Sequence, residues 1–288
     1  MINWPRISIV TPCYNMDQFL ERTIQSVLSQ NYPNLEYIIM DGGSTDDSIE
    51  IIKKYQNQLT YWESKKDNGM YDALNIGFGK ATGEIMTYIN ADDILCVGSL
   101  FTVAQIFSDF SEVRWLTGMI NIIDEENRCI HVDKIHRWNR MRYYTKDYEW
   151  IQQEGTFWRK SLWDDAGGYI STFYKLASDL ELWSRYFQLT ELYVSHTTLG
   201  SFRFRNSNQK SLDQMDEYLL EVHTILTALI IPKEDIAIIN QYKKFRIEKL
   251  VRIPLIGRIG FIQNINKKFN KFPSILRYNR ESKKFGFK

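Results

Sequence analysis

Four short apolar runs in the first hundred residues each stop at a polar loop, and an amphipathic pattern follows each. Ile7, Ile9 and Val10 lead to Thr11–Asn15; Tyr37–Met40 leads to Asp41-Gly42-Gly43-Ser44; Leu59–Glu63 leads to Asp67-Asn68-Gly69; Ile85–Ile89 leads to Asn90-Ala91-Asp92-Asp93. Runs of this length bounded by turn residues read as strands. Between them Phe19, Leu20, Thr23, Ile24, Val27 and Leu28 share one helical face. Ser44 or Thr45 can cap a helix to about Tyr55, and a third helix spans Gly69 to about Ala81. Repeated strand–helix–strand units predict an α/β fold, a mostly parallel central sheet with helices on both faces. Ligands of such sheets bind beyond the carboxyl ends of the strands, where these four loops converge.

The fourth loop carries the most chemistry. Adjacent carboxylates after a buried strand repel one another and lose hydration, so they call for a cation or several donors. Hard divalent ions that hold a diphosphate use one or two carboxylates plus phosphate oxygens. Asp92 and Asp93 therefore suggest a metal–nucleotide site; the plainer reading is an Asx turn ahead of a helix near Gly98.

Beyond Phe110 the rhythm changes. Strands are expected at Arg114–Asn121 and Arg128–Val132, around the turn 124–127. Gly155–Trp163 is mixed, Ala166–Tyr169 a turn, Ser178–Gln188 a helix and Tyr193–Phe204 one strand. Helices follow at Leu212–Leu229 and Lys233–Val251. Residues 1–110 and 111–210 read as two halves of one domain, which the family resemblance given below implies to be nucleotide-binding and acceptor-binding, and 211–288 as a helical, basic extension.

Charge sharpens the last boundary. The chain of 288 residues carries a net +1, which excludes the global field of a nucleic-acid binder. Residues 241–288 hold 14 Lys and Arg against 2 acids, a surplus of 12, so residues 1–240 sum to −11. Ile256, Ile259, Ile262, Ile265, Phe269 and Phe272 recur at helical spacing with Lys267, Lys268 and Lys271 among them. Such a helix suits an anionic membrane face, or packs back on the acidic body. No run of apolar residues is long enough to span a bilayer and the first residues lack a signal-peptide pattern, so a cytoplasmic location is expected, peripheral at the inner membrane face. Three scattered cysteines fit a reducing compartment, and 4 histidines leave little for histidine-based metal chemistry.

Six segments in order carry a resemblance: Ile9–Asn15, Met40–Asp46, Asp67–Asn75, Asn90–Asp93, Gln153–Trp158 and Ser178–Trp183. Over the first 205 or so residues the chain resembles the family 2 inverting glycosyltransferases of the Rossmann-like GT-A fold, in the bacterial O-antigen and capsule subgroup. That resemblance implies a nucleotide pocket lined by Thr11, Pro12, Tyr14, Asn15, Asp41, Asp67, Gly69, Asn90 and Asp92. Asp41 would accept from a base N–H, favouring UDP or dTDP, and Asp92 would hold Mn²⁺ or Mg²⁺ on the diphosphate. Asn90 stands where the family has its first Asp, which puts strict metal dependence in doubt. Asp72, Asn75, Glu154, Trp158 and Arg205 are expected on the sugar or acceptor side, and Asp179 as the general base. Each has a plainer reading: turns for Asp41, Asp67 and Gly69, packing for Tyr14 and Trp158, capping for Asp72, Asn75 and Asp179.

The implied partners are a nucleotide-sugar donor and a glycan or polyprenyl-diphosphate-linked acceptor that receives a hexose or N-acetylhexosamine. A non-catalytic nucleotide-sugar-binding module is the alternative. A sugar nucleotidyltransferase would need a basic, glycine-rich loop after the first strand, and Thr11–Asp17 has neither glycine nor Lys or Arg.

Overall fold

The computed structural model of the protein describes residues 4–146, 150–205 and 213–288. The first half alternates as its sequence pattern predicts: β1 (Ile7–Cys13), α1 (Asp17–Leu28), β2 (Leu35–Asp41), α2 (Ser48–Tyr55), β3 (Tyr61–Ser64), α3 (Met70–Lys80) and β4 (Ile85–Tyr88). Every residue of β1 is buried, as expected of a strand covered on both faces. Its partner α1 is apolar on one face only and buries Phe19, Leu20, Thr23, Ile24 and Val27 against the sheet. Pro12 does not end β1; it pairs in register with Met40. The expected cap at Ser44 or Thr45 is also displaced, because α2 begins three residues later.

There follow β5 (Ile94–Leu95), α4 (Ser99–Asp109), β6 (Trp115–Thr117), β7 (Asn121–Ile123), β8 (Cys129–Val132), α5 (Arg140–Tyr144), β9 (Thr156–Arg159), α6 (Lys160–Asp165) and α7 (Ser178–Leu189). The expected strand 193–204 is two strands in two sheets, β10 (Tyr193–Ser195) and β11 (Gly200–Arg203). Gly200 lets β11 start tight against the Glu154 backbone: a Cβ there would stand 2.0 Å from the Glu154 carbonyl oxygen.

The central sheet runs β13-β12-β10-β6-β9-β4-β1-β2-β3, where β12 is Ile275–Asn279 and β13 is Lys284–Phe287. It is parallel except at β9 and β13. A smaller sheet, β5-β11-β7-β8, stands beside it. Two apolar cores cover the two faces, one rich in aromatics around Trp158 and Trp115, the other aliphatic around Ile9, Ile39 and Val103.

The extension after residue 213 is helical as expected, with helices at Met215–Ala228, Lys233–Lys244, Ile247–Val251 and Gly260–Phe269. The expected boundary at 210/211 and the expected helix start at Leu212 lie outside the described residues. Its end departs from expectation. After Phe269 the chain returns to the sheet, where β12 pairs with β10 and buries Leu276. Of the periodic residues, Ile262 and Ile265 are buried against Ile247 within the extension, and Phe269 is buried with Met141 and Tyr144 of the body and with Ile239, so that the end of the helix packs on the body. Among the described residues, no helix is long and apolar enough to cross a membrane.

Candidate functional site

The loops after β1 and β2 are stitched together. Asn15 N donates to Ser44 Oγ at 2.8 Å, Thr45 N to Asn15 Oδ1 at 2.8 Å, Met16 N to Ser48 Oγ at 3.0 Å and Asp17 N to Asp46 Oδ2 at 3.0 Å. Asp41 is the knot of this region. It accepts from Gly43 N and Ser44 N, from Ser44 Oγ at 2.5 Å and from Ser64 Oγ at 2.6 Å. The Asp67 carboxylate lies over Gly42, where a Cβ would meet its Oδ2 at 2.8 Å, and accepts from Gly69 N. Asp72 accepts from the Asn68 backbone and side chain, fixing the start of α3. Tyr14 stands out of this frame, 59% exposed, offering a ring face.

After β4 the chain turns through Asn90–Asp93, and Thr23 Oγ1 holds the turn by donating to the carbonyls of Ala91 and Asp93. Asp93 is buried and accepts from Arg203 N at 2.8 Å and Asn90 Nδ2 at 3.1 Å. Arg203, fully buried on β11, donates from Nε to the Asp92 carbonyl and from Nη1 to the Asp124 carbonyl, with Phe19 under its guanidinium. Arg205 Nη2 pairs with Asp92 Oδ2 at 3.1 Å, both side chains largely buried at 11% and 15% exposure.

Burial raises the Asp92 carboxyl above its ordinary value, and Arg205 pulls against that rise. Burial and then the charge of Glu154 push Asp93 far above the usual carboxylate range. Glu154 is buried beside Asp93. Burial lifts it to about 7, with the charges of Asp92 and Asp179 adding to the rise and a hydrogen bond with Asp93 opposing it. Among the described residues, Asn90 Oδ1 and Glu154 Oε2 are buried oxygens with no hydrogen-bond partner.

Asp179 opens α7. Its Oδ1 accepts from Leu180 N at 2.7 Å, and burial raises its carboxyl to about 6. Burial and then the charge of Asp179 also push the phenols of Tyr71 and Tyr88 upward. Asp92 and Asp179 thus act on one buried carboxyl, Glu154, from the two halves of the fold. The loop that delivers α7 is clamped from the C-terminal extension: Glu221 accepts from Lys175 N, Leu176 N and Ala177 N, each at 2.9 Å. Tyr71 donates to the Leu176 carbonyl from the other side.

Several sequence expectations are corrected here. Thr11 is fully buried with its hydroxyl on Tyr37, and Pro12 is buried beside it, so neither side chain reaches a pocket wall. Trp158 is fully buried among Phe78, Tyr88, Trp163 and Trp183, and no sugar can stack on it. Asn75 spends both ends of its amide on the Ile170 backbone. Arg205, expected on the sugar or acceptor side, sits on Asp92. Glu221 carries no motif, since it lies some forty residues beyond the helix start that it supports.

A family described as "Glycosyl transferase family 2" matches residues 8–163. An uncharacterised glycosyltransferase of Nostoc sp. is 33% identical over 128 residues, a match that spans 43% of this chain and 39% of the relative. Among solved structures, S. aureus TarS 1-349 in complex with UDP-GlcNAc superposes with a TM-score of 0.58 at 16% identity, over 92% of this chain and 71% of TarS. The mannosyltransferase PcManGT of Pyrobaculum calidifontis, in complex with GDP-Man and Mn²⁺, gives 0.62 at 14% identity, over 93% and 74%. At such identities these two share the fold, and the α/β architecture is that of GT-A glycosyltransferases.

Proposed function

We propose, for a chain that belongs to glycosyl transferase family 2, that it moves a hexose or N-acetylhexosamine from a UDP-sugar to a hydroxyl of a glycan, with inversion at the anomeric carbon. The observation that carries this reading is the buried cluster after β4: Asp92 pairs with Arg205, and Asp93 accepts from Arg203 N and Asn90 Nδ2. The base would lie against the exposed Tyr14 ring, near the Asp41 and Asp67 loops. The Arg205 guanidinium would donate to the diphosphate. Asp179, ionised above a pH of about 6, would take the proton of the acceptor hydroxyl as its oxygen bonds to the anomeric carbon. The bond to the diphosphate breaks in that step, and UDP leaves with the electron pair.

The residues present suit a hard divalent ion. Among the described residues no group of three or more His, Cys, Asp or Glu forms a metal cluster by itself. Asp92 and the unpartnered Asn90 Oδ1 are nevertheless oxygen donors of the kind that Mn²⁺ or Mg²⁺ takes beside phosphate. Such an ion would neutralise charge on the departing diphosphate. PcManGT was solved with GDP-Man and Mn²⁺, TarS with UDP-GlcNAc; a UDP donor and a metal on Asp92 are extended to this chain on that basis and on the pocket. The acceptor we favour is a glycan on a polyprenyl diphosphate, as in O-antigen or capsule assembly.

One observation favours a second reading, a nucleotide-sugar-binding module without transfer: Arg205 already occupies Asp92, and Asn90 brings no charge. Thermal shifts with UDP-, GDP- and dTDP-sugars, with and without Mn²⁺, followed by transfer assays, separate the two. Stabilisation by UDP-sugars together with turnover supports the enzyme; stabilisation without turnover on any acceptor supports the module.

A further inference from the structure

The basic extension divides its apolar residues between two directions. Ile262, Ile265 and Phe269 point inward and are buried, the first two against Ile247 and the last against Met141 and Tyr144. Ile253, Leu255, Ile256, Ile259 and Phe261, in the same stretch, are exposed, Leu255 to 78%. They belong to one knuckle. Gly257 N donates to the Ile253 carbonyl and Ile256 N to that of Pro254. A Cβ on Gly257 would stand 2.5 Å from the Val251 carbonyl oxygen, so the turn closes tightly only with glycine. Leu255 is held at φ +68°, a region that leucine rarely enters, and its side chain is at the tip. The Phe261 ring meets that of Phe245 at 5.4 Å, which extends the patch to the end of the preceding helix.

Cations surround this patch. From 243 to 268 the chain carries 8 Lys and Arg against one acid, Glu248, and all 8 are exposed. Exposed leucine, isoleucine and phenylalanine ringed by lysine and arginine, on a body of opposite charge, match an anionic bilayer surface: the apolar tips enter the headgroup boundary while the cations meet the phosphates. An acidic protein partner would meet the cations but leaves the protruding Leu255 knuckle without a reason. The geometry points to residues 245–261 as a peripheral docking surface for anionic lipid, independent of the donor site.

Co-sedimentation with vesicles tests this. The full chain is mixed with vesicles of phosphatidylcholine alone and of phosphatidylcholine with a third phosphatidylglycerol. The expected result is pelleting with the anionic vesicles only, lost at high salt. Arg252→Gln with Arg258→Gln weakens partition on the order of thirtyfold, since each surface cation is worth about fivefold. Leu255→Glu with Phe261→Glu abolishes pelleting. Both pairs are surface changes, and circular-dichroism melts matching the wild type check that each variant is folded. No pelleting of the wild type overturns the inference, as does equal pelleting of all three proteins. So does a dimer that dissociates in the Leu255→Glu/Phe261→Glu variant without any vesicle binding, which would assign the patch to a second copy of the chain.

Discussion

Asp179 holds its proton to about pH 6, against an ordinary 3.8, because burial disfavours the carboxylate. Between those values the folded chain binds a proton that the unfolded chain has released. This group therefore loses stability for the fold as pH rises through about 6, while catalysis needs the ionised form. Asp179→Asn should raise stability at pH 7 by about 1–3 kcal/mol in denaturant melts. Transfer should fall on the order of a hundredfold to ten-thousandfold with donor affinity kept. In the wild type, kcat/KM should rise with pH along a limb near 6. Arg205→Gln strips the cation from Asp92, and titration calorimetry should show UDP-sugar affinity reduced about tenfold to a hundredfold. Trp158→Ala should cost about 3–5 kcal/mol of stability, because the ring fills the aromatic core. The places of Asp92 after a strand and of Asp179 at the start of a helix were legible in the sequence because each lies at a turn or capping signal. Thr11 and Trp158 were misplaced because neither motif nor alternation tells which face of a fully covered strand meets ligand.

Glu221 links two parts of the chain that pattern reading keeps apart. Its carboxylate holds the three amides ahead of α7, so a helix of the extension sets where Asp179 sits. Glu221 is also one of the charges that raise Asp179. Glu221→Gln should lower kcat about tenfold or more with donor KM unchanged, and move the acidic limb of the pH profile downward. A purely structural role would leave that limb in place. The alternation of strands and helices up to β4 was readable because apolar runs and turn residues agree at every step. The split into β10 and β11 was missed, although the polar stretch Ser195-His196-Thr197-Thr198 and Gly200 interrupt the run 193–204. What pattern reading had no means to register is the close approach of the Glu154 backbone to Gly200 at the start of β11, a contact between residues far apart in sequence.

Across the fold, the extension is not an appendage. β12 and β13 complete the central sheet, with Leu276 and Phe285 in the aliphatic core. Removing 275–288 should lower the melting temperature on the order of 10 °C, which calorimetry reads directly. Periodicity marked the tail as helical because Ile262, Ile265 and Phe269 repeat; it had no means to register that β12 pairs with β10 and β13 with β12. The account rests on one spatial claim, that the donor lies between Asp92 and Asp179. A crystal structure of the protein with UDP, Mn²⁺ and a non-transferable sugar donor tests it. The account predicts the diphosphate beside Asp92 and Arg205, with the Asp179 carboxylate facing the anomeric carbon on the opposite side from the leaving oxygen. A diphosphate bound away from Asp92, or a sugar turned from Asp179, would contradict it.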